Sequence, residues 1–340
     1  MQSKNVASTP DPKKETGIQL GRDHVRIGRA ANIPVPAATP VVAVSPVVLP
    51  VPGRLVDLQI KVSAPTTGRD LPLILLSHGG GTTNYLSSLH GFSPVVDFWA
   101  AHGFVVIQPT HLTSKSLGFD PTTPGAPLFW RSRIEDMNHI LDHLDVIEEA
   151  VPEIKGRLDR SRVAVVGHSF GGHTASMLLG AQCTDDDGTV VYLPDTRIKA
   201  GVLLASTGAG GDHLGPAAAH HACLRTARFD QMTTPTLVVV GDKDNEPQLT
   251  SRGASYHADP YVFSPGPKSL LMLFGGEHML GGITGYDAVE TTDENPERAA
   301  MIQRLTLAYL RSTLYSGDPA WSEACVAFSD LKDLGHIESK

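Results

Sequence analysis

The sequence predicts an α/β fold: a mostly parallel, doubly wound sheet with helices on both faces. Three observations lead there. Short runs of Val, Ile and Leu recur at 71–76, 103–108, 163–166, 198–205, 235–241 and 268–274, apolar without alternation. Strands buried on both faces read this way. Between them lie stretches with helical spacing, such as Ile134, Met137, Ile140, Leu141 and Leu144, and strands alternating with helices give a parallel sheet. The length of 340 residues with 41% hydrophobic content suits one large domain with extensions.

Taken in order, residues 1–20 are polar and read as disordered. The Ala-, Pro- and Val-rich stretch 30–53 reads as extended chain on the surface or as edge strands. Residues 55–62 alternate apolar and polar, the pattern of a half-exposed strand near the sheet edge. A polar turn at 66–70 precedes the strand at 71–76, and a helix is expected through 94–102. The strand at 103–108 is closed by Pro109, a long loop covers 110–128, and an amphipathic helix is expected over about 131–150. Polar residues 159–162 lead into the strand at 163–166, which a helix follows. Beyond an acidic turn at 185–188 comes the strand at 198–205. The Gly-, Ala- and His-rich stretch 206–230 resists assignment. The strands at 235–241 and 268–274 and a helix over about 296–314 complete the core. The expected division is an N-terminal extension over 1–50, a catalytic domain over 51–320 and a C-terminal tail over 321–340.

Composition excludes several function classes. A net charge of −8 and a pI near 6.0 argue against a nucleic-acid partner held through phosphates, and no cluster of Lys and Arg marks an anionic membrane surface. The most apolar early stretch, 41–51, is interrupted by Pro46 and Pro50 and cannot be a membrane span. Residues 1–17 have no apolar core of the kind a secretory signal carries. Cys183, Cys223 and Cys325 are sparse and widely spaced, with neither a disulfide framework nor zinc-site spacing. A cytoplasmic protein is the expectation; oligomeric state is not written in the sequence.

The chemistry centres on Gly167-His168-Ser169-Phe170-Gly171, a G-x-S-x-G pattern between an apolar strand and a helix. A sharp strand-to-helix turn presents its central residue at the tip, and glycines on either side admit close backbone approach. A serine hydroxyl needs a base to take its proton, and the base needs an orienting acid. Downstream, Gly241-Asp242-Lys243-Asp244 and Gly275-Gly276-Glu277-His278-Met279 each follow a predicted strand. His278 is the candidate base and Asp244 the candidate acid, with Asp242 as its rival. Glu277 is expected to point elsewhere. The N–H of Phe170 is one candidate oxyanion donor. The other is expected from the glycines after the 71–76 strand, Gly79 or Gly80 of His78-Gly79-Gly80-Gly81.

These residues carry a resemblance. The stretch from about Leu71 to Leu314 resembles the α/β-hydrolase superfamily. Within it, Gly-His-Ser-Phe-Gly-Gly-His, Gly-Asp-Lys-Asp and Gly-Glu-His-Met are similar to the group containing platelet-activating-factor acetylhydrolases, chlorophyllases, polyester hydrolases and dienelactone-hydrolase-like proteins. Dienelactone hydrolases proper carry a cysteine nucleophile where this chain has Ser169. The resemblance implies an α/β-hydrolase fold and serine ester hydrolysis with no cofactor. The expected enzyme is a carboxylesterase-like serine hydrolase that forms an acyl-enzyme on a small to medium hydrophobic ester. An amidase or peptidase with the same residues, or a binding protein on a hydrolase scaffold, are the alternatives.

His78, Gly81, Trp130 and His168 are the candidate substrate contacts, and Leu128, Phe129 and Trp130 offer an apolar wall unless they serve the core. His139 and His143 are four apart on the expected helix, but no zinc motif accompanies them, and no metal is expected. His173 reads as a packing neighbour of the nucleophile, and His220 and His221 as loop residues that could line a cavity. Gly208-Ala209-Gly210-Gly211 does not make a dinucleotide fingerprint.

Overall fold

The computed structural model describes residues 24–340, so the reading of 1–20 lies outside it. In chain order the elements are β1 (Val41–Leu49), β2 (Leu58–Pro65), β3 (Leu71–Ser77), α1 (Ser93–Ala101), β4 (Val105–Pro109), α2 (Trp130–Asp142) and α3 (Leu144–Ala150). Then come β5 (Leu158–His168), α4 (Phe170–Leu178), the short pair β6 (Gln182–Thr184) and β7 (Val190–Tyr192), β8 (Ile198–Leu204), α5 (Pro216–Ala219) and α6 (Ala222–Arg225). The chain closes with β9 (Thr236–Gly241), α7 (Ala254–His257), α8 (Asp259–Phe263), β10 (Lys268–Leu273), α9 (Pro296–Leu314), α10 (Ala320–Phe328) and β11 (Gly335–Ser339).

The large sheet runs β1-β2-β4-β3-β5-β8-β9-β10-β11. From β4 to β10 neighbouring strands are parallel, while β1, β2 and β11 join antiparallel at the two edges. Side chains alternate across a strand, and the two layers of core follow from it. Leu73, Leu75, Val163 and Val165 pack with α2, α3 and α4 on one face. Ile74, Leu76, Ala164 and Val166 pack with α1, α9 and α10 on the other. Both faces being covered explains why these strands read as unbroken apolar runs.

The structure differs from the sequence reading in several places. The sheet extends past both ends of the expected 51–320 domain. Val41–Leu49 is its first edge strand, as the edge-strand reading of 30–53 allowed, while Gly335–Ser339, expected as tail, pairs with β10. Pro46 falls at the register shift between Val44 and Val47, which lets a residue without an N–H sit in an edge strand. The helix expected over about 131–150 breaks at His143, whose φ of −118° leaves the helical range. The unassigned 206–230 stretch contains two single-turn helices, α5 and α6, too short to show periodicity.

Candidate active site

The three loops that the sequence singled out all leave carboxyl ends of parallel strands, where functional residues of such sheets collect. Ser169 lies between β5 and α4 with φ 54° and ψ −122°, a left-handed conformation that costs a non-glycine residue energy. The turn closes only because its flanks are bare. A Cβ on Gly167 would meet the Gly171 carbonyl at 2.1 Å, and one on Gly171 would meet the Ser77 carbonyl at 2.0 Å.

The turn after β9 is closed by the Asp244 N–H donating to the Gly241 carbonyl at 3.1 Å, and it carries Asp244 inward until it is 1% exposed. The loop after β10 carries His278. Ser169 Oγ lies 2.9 Å from His278 Nε2, and His278 Nδ1 lies 3.0 and 3.1 Å from the two Asp244 oxygens. The structure thus brings Ser169, His278 and Asp244 into one hydrogen-bonded chain. Asp242 is directed elsewhere: its Oδ1 accepts the Gly275 N–H at 2.6 Å. Glu277 bonds the Thr292 hydroxyl. Asp293 fixes the His278 loop by accepting the N–H groups of Glu277 and Gly281 at 2.8 and 2.9 Å, while pairing with Arg298 at 3.0 Å.

The electrostatics follow from these contacts. Burial alone would raise the Asp244 carboxyl, but hydrogen bonds and charge from His257 and His278 outweigh it and hold the group far below the usual carboxylate range. Burial would lower His278, yet its bond to Asp244 and that carboxylate's charge raise it above the ordinary histidine value. His168 behaves oppositely. Burial, then the nearby His278, pushes it down to about 3.

On the oxyanion side, Phe170 is the first residue of α4, so its N–H has no partner within the helix. Gly79 backs onto the nucleophile: a Cβ there would lie 3.0 Å from Ser169 Cβ. Gly80 faces open space, with nothing within 4 Å of an added Cβ. Beneath this loop lies a buried polar cluster that the sequence reading missed. Arg133 is fully buried. It donates to the His78 carbonyl, to Ser77 Oγ at 3.1 Å and to Thr174 Oγ1 at 2.9 Å, with its guanidinium 5.2 Å from the Phe170 ring centre. His111 donates from Nδ1 to Asp136 at 2.8 Å and accepts at Nε2 from Ser77 Oγ at 3.0 Å. Arg54 pairs with both Asp136 oxygens, at 2.8 and 3.1 Å. Burial and the neighbouring guanidinium groups push His111 well below its ordinary value.

Three expected substrate contacts are corrected. His78 is 3% exposed; its Nδ1–H donates to the Gly79 carbonyl at 2.8 Å and its Nε2 accepts the His111 N–H at 3.3 Å. Both nitrogens are thus spent on backbone. His168 is fully buried behind the base, with Nε2 2.9 Å from the His278 carbonyl oxygen. Gly81 faces Leu86 and Glu290 rather than Ser169. Trp130 lines a half-open cavity of about 720 Å³ with Leu112, Leu128, Phe129 and Cys223. Ser169 and His278 do not line it. The connection between the two runs through His173, edge-on to Trp130 and stacked on Phe170 at 5.3 Å. His221 lines the same cavity. His139 and His143 lie with ring centres 3.9 Å apart, and His143 Nδ1 bonds the His139 carbonyl where α2 ends. Among the described residues, the nitrogen and oxygen atoms of Asp244, His257 and His278 lie within 4.8 Å of one another. That is close enough for a cation, but the hydrogen bond from His278 to Asp244 already occupies two of the three.

Comparison with known proteins gives the family. Residues 73–324 match the alpha/beta hydrolase family, and the chain belongs to it. It is 29% identical over 184 residues to a platelet-activating factor acetylhydrolase of Cavia porcellus, covering 44% of this chain and 38% of that one. It is 29% identical over 185 residues to cutinase 1 of Thermobifida cellulosilytica, covering 54% of this chain and 53% of the relative, and similarly to a cutinase of Thermobifida fusca (strain YX), of which it covers 46%. The matched stretch thus spans about half the length of these relatives, or less. No helix among the described residues is long and apolar enough to cross a membrane.

Proposed function

We propose that this α/β hydrolase is a serine carboxylic-ester hydrolase that works through an acyl-enzyme on a small to medium hydrophobic ester. The observation that carries the reading is the unbroken chain from Ser169 Oγ through His278 to Asp244, with contacts of 2.9 and 3.0 Å. His278, with its basicity raised by Asp244, takes the Ser169 proton as Oγ attacks the ester carbonyl. The imidazolium so formed donates from Nδ1 to Asp244, which stays ionised. The developing oxyanion is met by the Phe170 N–H and by one of the two glycine amides, Gly79 or Gly80. His278 returns its proton to the leaving alcohol, and the same residues then activate the water that releases the acid. A relative named for removing an acetyl group makes a short acyl chain the first substrate to try. Cytoplasmic placement belongs to the same proposal; free Cys183, Cys223 and Cys325 support it, and cell fractionation tests it.

The test is hydrolysis of p-nitrophenyl esters from acetate to palmitate by the wild type and Ser169→Ala. The expected outcome is a loss in the variant of at least about 10³-fold. Equal activity in both proteins would remove Ser169 from the reaction. No activity in a folded wild type would turn the reading toward amides or a binding role.

A further inference from the structure

Asp244 has a second histidine partner that the reaction as described does not use. His257, the last residue of α7, is fully buried. Its Nδ1 lies 2.7 Å from the Ser206 carbonyl oxygen. Its Nε2 lies 3.3 Å from Asp244 Oδ1, within ion-pair reach though outside full hydrogen-bond alignment. Its ring centre is 5.5 Å from that of His278. Each ring nitrogen therefore faces an acceptor. A neutral ring protonated on Nδ1 turns a lone pair toward a carboxylate, and one protonated on Nε2 turns a lone pair toward a carbonyl at 2.7 Å. A proton on Nε2 lets the ring donate to the carboxylate from this side.

We propose that His257 is a positioning residue of this site: it donates to Asp244 from a second side, fixes the carboxylate for His278, and takes up part of its negative charge. The proposal rests on the reading of Ser169, His278 and Asp244 as a triad. Ser206 follows β8 by two residues, so His257 also ties the acid to the strand beside the nucleophile's own. The other titratable groups around the pair are His168 and His278 on the nucleophile side, Tyr256 at 5.4 Å ring to ring, and Glu246 and Asp293, whose charges act on His278. Asp259 is engaged by Arg252 at 2.7 Å.

The experiment is the acid limb of kcat/KM against pH for p-nitrophenyl acetate, using the full chain as wild type, His257→Phe and His257→Gln. Without the second donor, more of the Asp244 charge falls to His278. The midpoint of the limb is expected to move up by about one unit in His257→Phe. The plateau rate should fall, and His257→Gln, which keeps one N–H donor, should recover part of it. A limb that superimposes on the wild type in both variants overturns the proposal, because a merely structural role lowers rate or stability without moving the limb. Nitrogen-15 NMR of the histidine-labelled wild type gives an independent answer should the variants fail to fold. A proton on His257 Nε2 at the pH of activity is expected, and an Nε2 without one overturns the proposal. Labelling of Ser169 by a fluorophosphonate separates the two levels of failure. An unreactive wild type sinks the triad reading and this proposal with it, whereas a reactive wild type with an unmoved limb sinks only the role of His257.

Discussion

Ser169 stands between two buried polar clusters built from the same residue types, and their charges do opposite work. On one side, Asp244 faces two imidazoles, with His257 Nε2 at 3.3 Å and His278 Nδ1 at 3.0 Å. On the other, Asp136 is held by both arms of the Arg54 guanidinium and receives His111 as an additional partner. His278 is raised above its ordinary value, while His111 is driven well below it. The difference lies in who holds the carboxylate. A carboxylate already matched by a guanidinium has little left with which to stabilise an imidazolium, and two nearby guanidinium groups oppose a third positive charge. The Asp136 cluster therefore builds a neutral-histidine scaffold under the glycine loop, and the Asp244 cluster fits the proposed task of holding a proton in transit.

The sharpest way to break this contrast is Asp244→Asn. The asparagine keeps the shape but withdraws the charge that raises His278, and a loss in kcat on the order of 10⁴ is expected, as for a triad deprived of its acid. The pH profile carries the sign. With His278 as the proposed base working in its neutral form, activity should be present above its pKa and lost as pH falls through it. The limb of the wild type is expected above the ordinary histidine value, as the neighbouring Asp244 raises His278, and that of Asp244→Asn is expected lower. Stopped-flow ester hydrolysis across pH checks both. An unchanged limb would show that Asp244 is not the group acting on His278.

The same contrast predicts a different signature for Arg133→Gln. Arg133 holds the His78 carbonyl, Ser77 Oγ and Thr174 Oγ1 from beneath the glycine loop and supports the Phe170 ring. Its replacement should loosen the oxyanion donors without touching the base. We expect kcat to fall by about 10–10² fold, less than removal of a donor outright. KM should stay near wild type and the acid limb should not move. Stability should drop by about 1–3 kcal/mol for the buried acceptors left unpaired. Denaturant melts and weaker binding of a boronate transition-state analogue check this, and a shifted acid limb would mean the two clusters are coupled.

The two sides also differed in how much the sequence showed of them. Ser169, Asp244 and His278 each follow a strong apolar strand inside a glycine-marked loop, so local sequence announced them. Arg133, His111 and Asp136 carry no such mark. Arg133 and Asp136 sit on an amphipathic helix where charge normally means solvent, and burial became visible only once α2 was packed against the sheet. His257 lies in a single helical turn with no periodicity to read. His78 and His168 misled for the converse reason: their place beside the reacting residues in sequence suggested substrate contact, while their side chains turn inward to backbone carbonyls. The interior strands were legible because both of their faces are buried. The edge strand β11 was not, since its sequence, Gly-His-Ile-Glu-Ser, is mostly polar and exposed.

The smallest expected effect probes where the substrate lies relative to the two clusters. The cavity of about 720 Å³ is lined by Arg54 and Asp136 as well as Trp130, so it belongs to the oxyanion side. Its link to Ser169 runs through the rings of Trp130, edge-on to His173, and His173 stacked on Phe170. A chain of a bound ester reaching this cavity would gain about 0.8 kcal/mol for each methylene it buries against the indole. Trp130→Ala should then raise KM several-fold for longer p-nitrophenyl esters and leave acetate nearly unchanged. If acetate suffers equally, Trp130 acts through His173 and Phe170 on the oxyanion donor, and the effect will sit in kcat instead. The dependence on chain length thus decides whether the indole contacts substrate or only supports the residue that does.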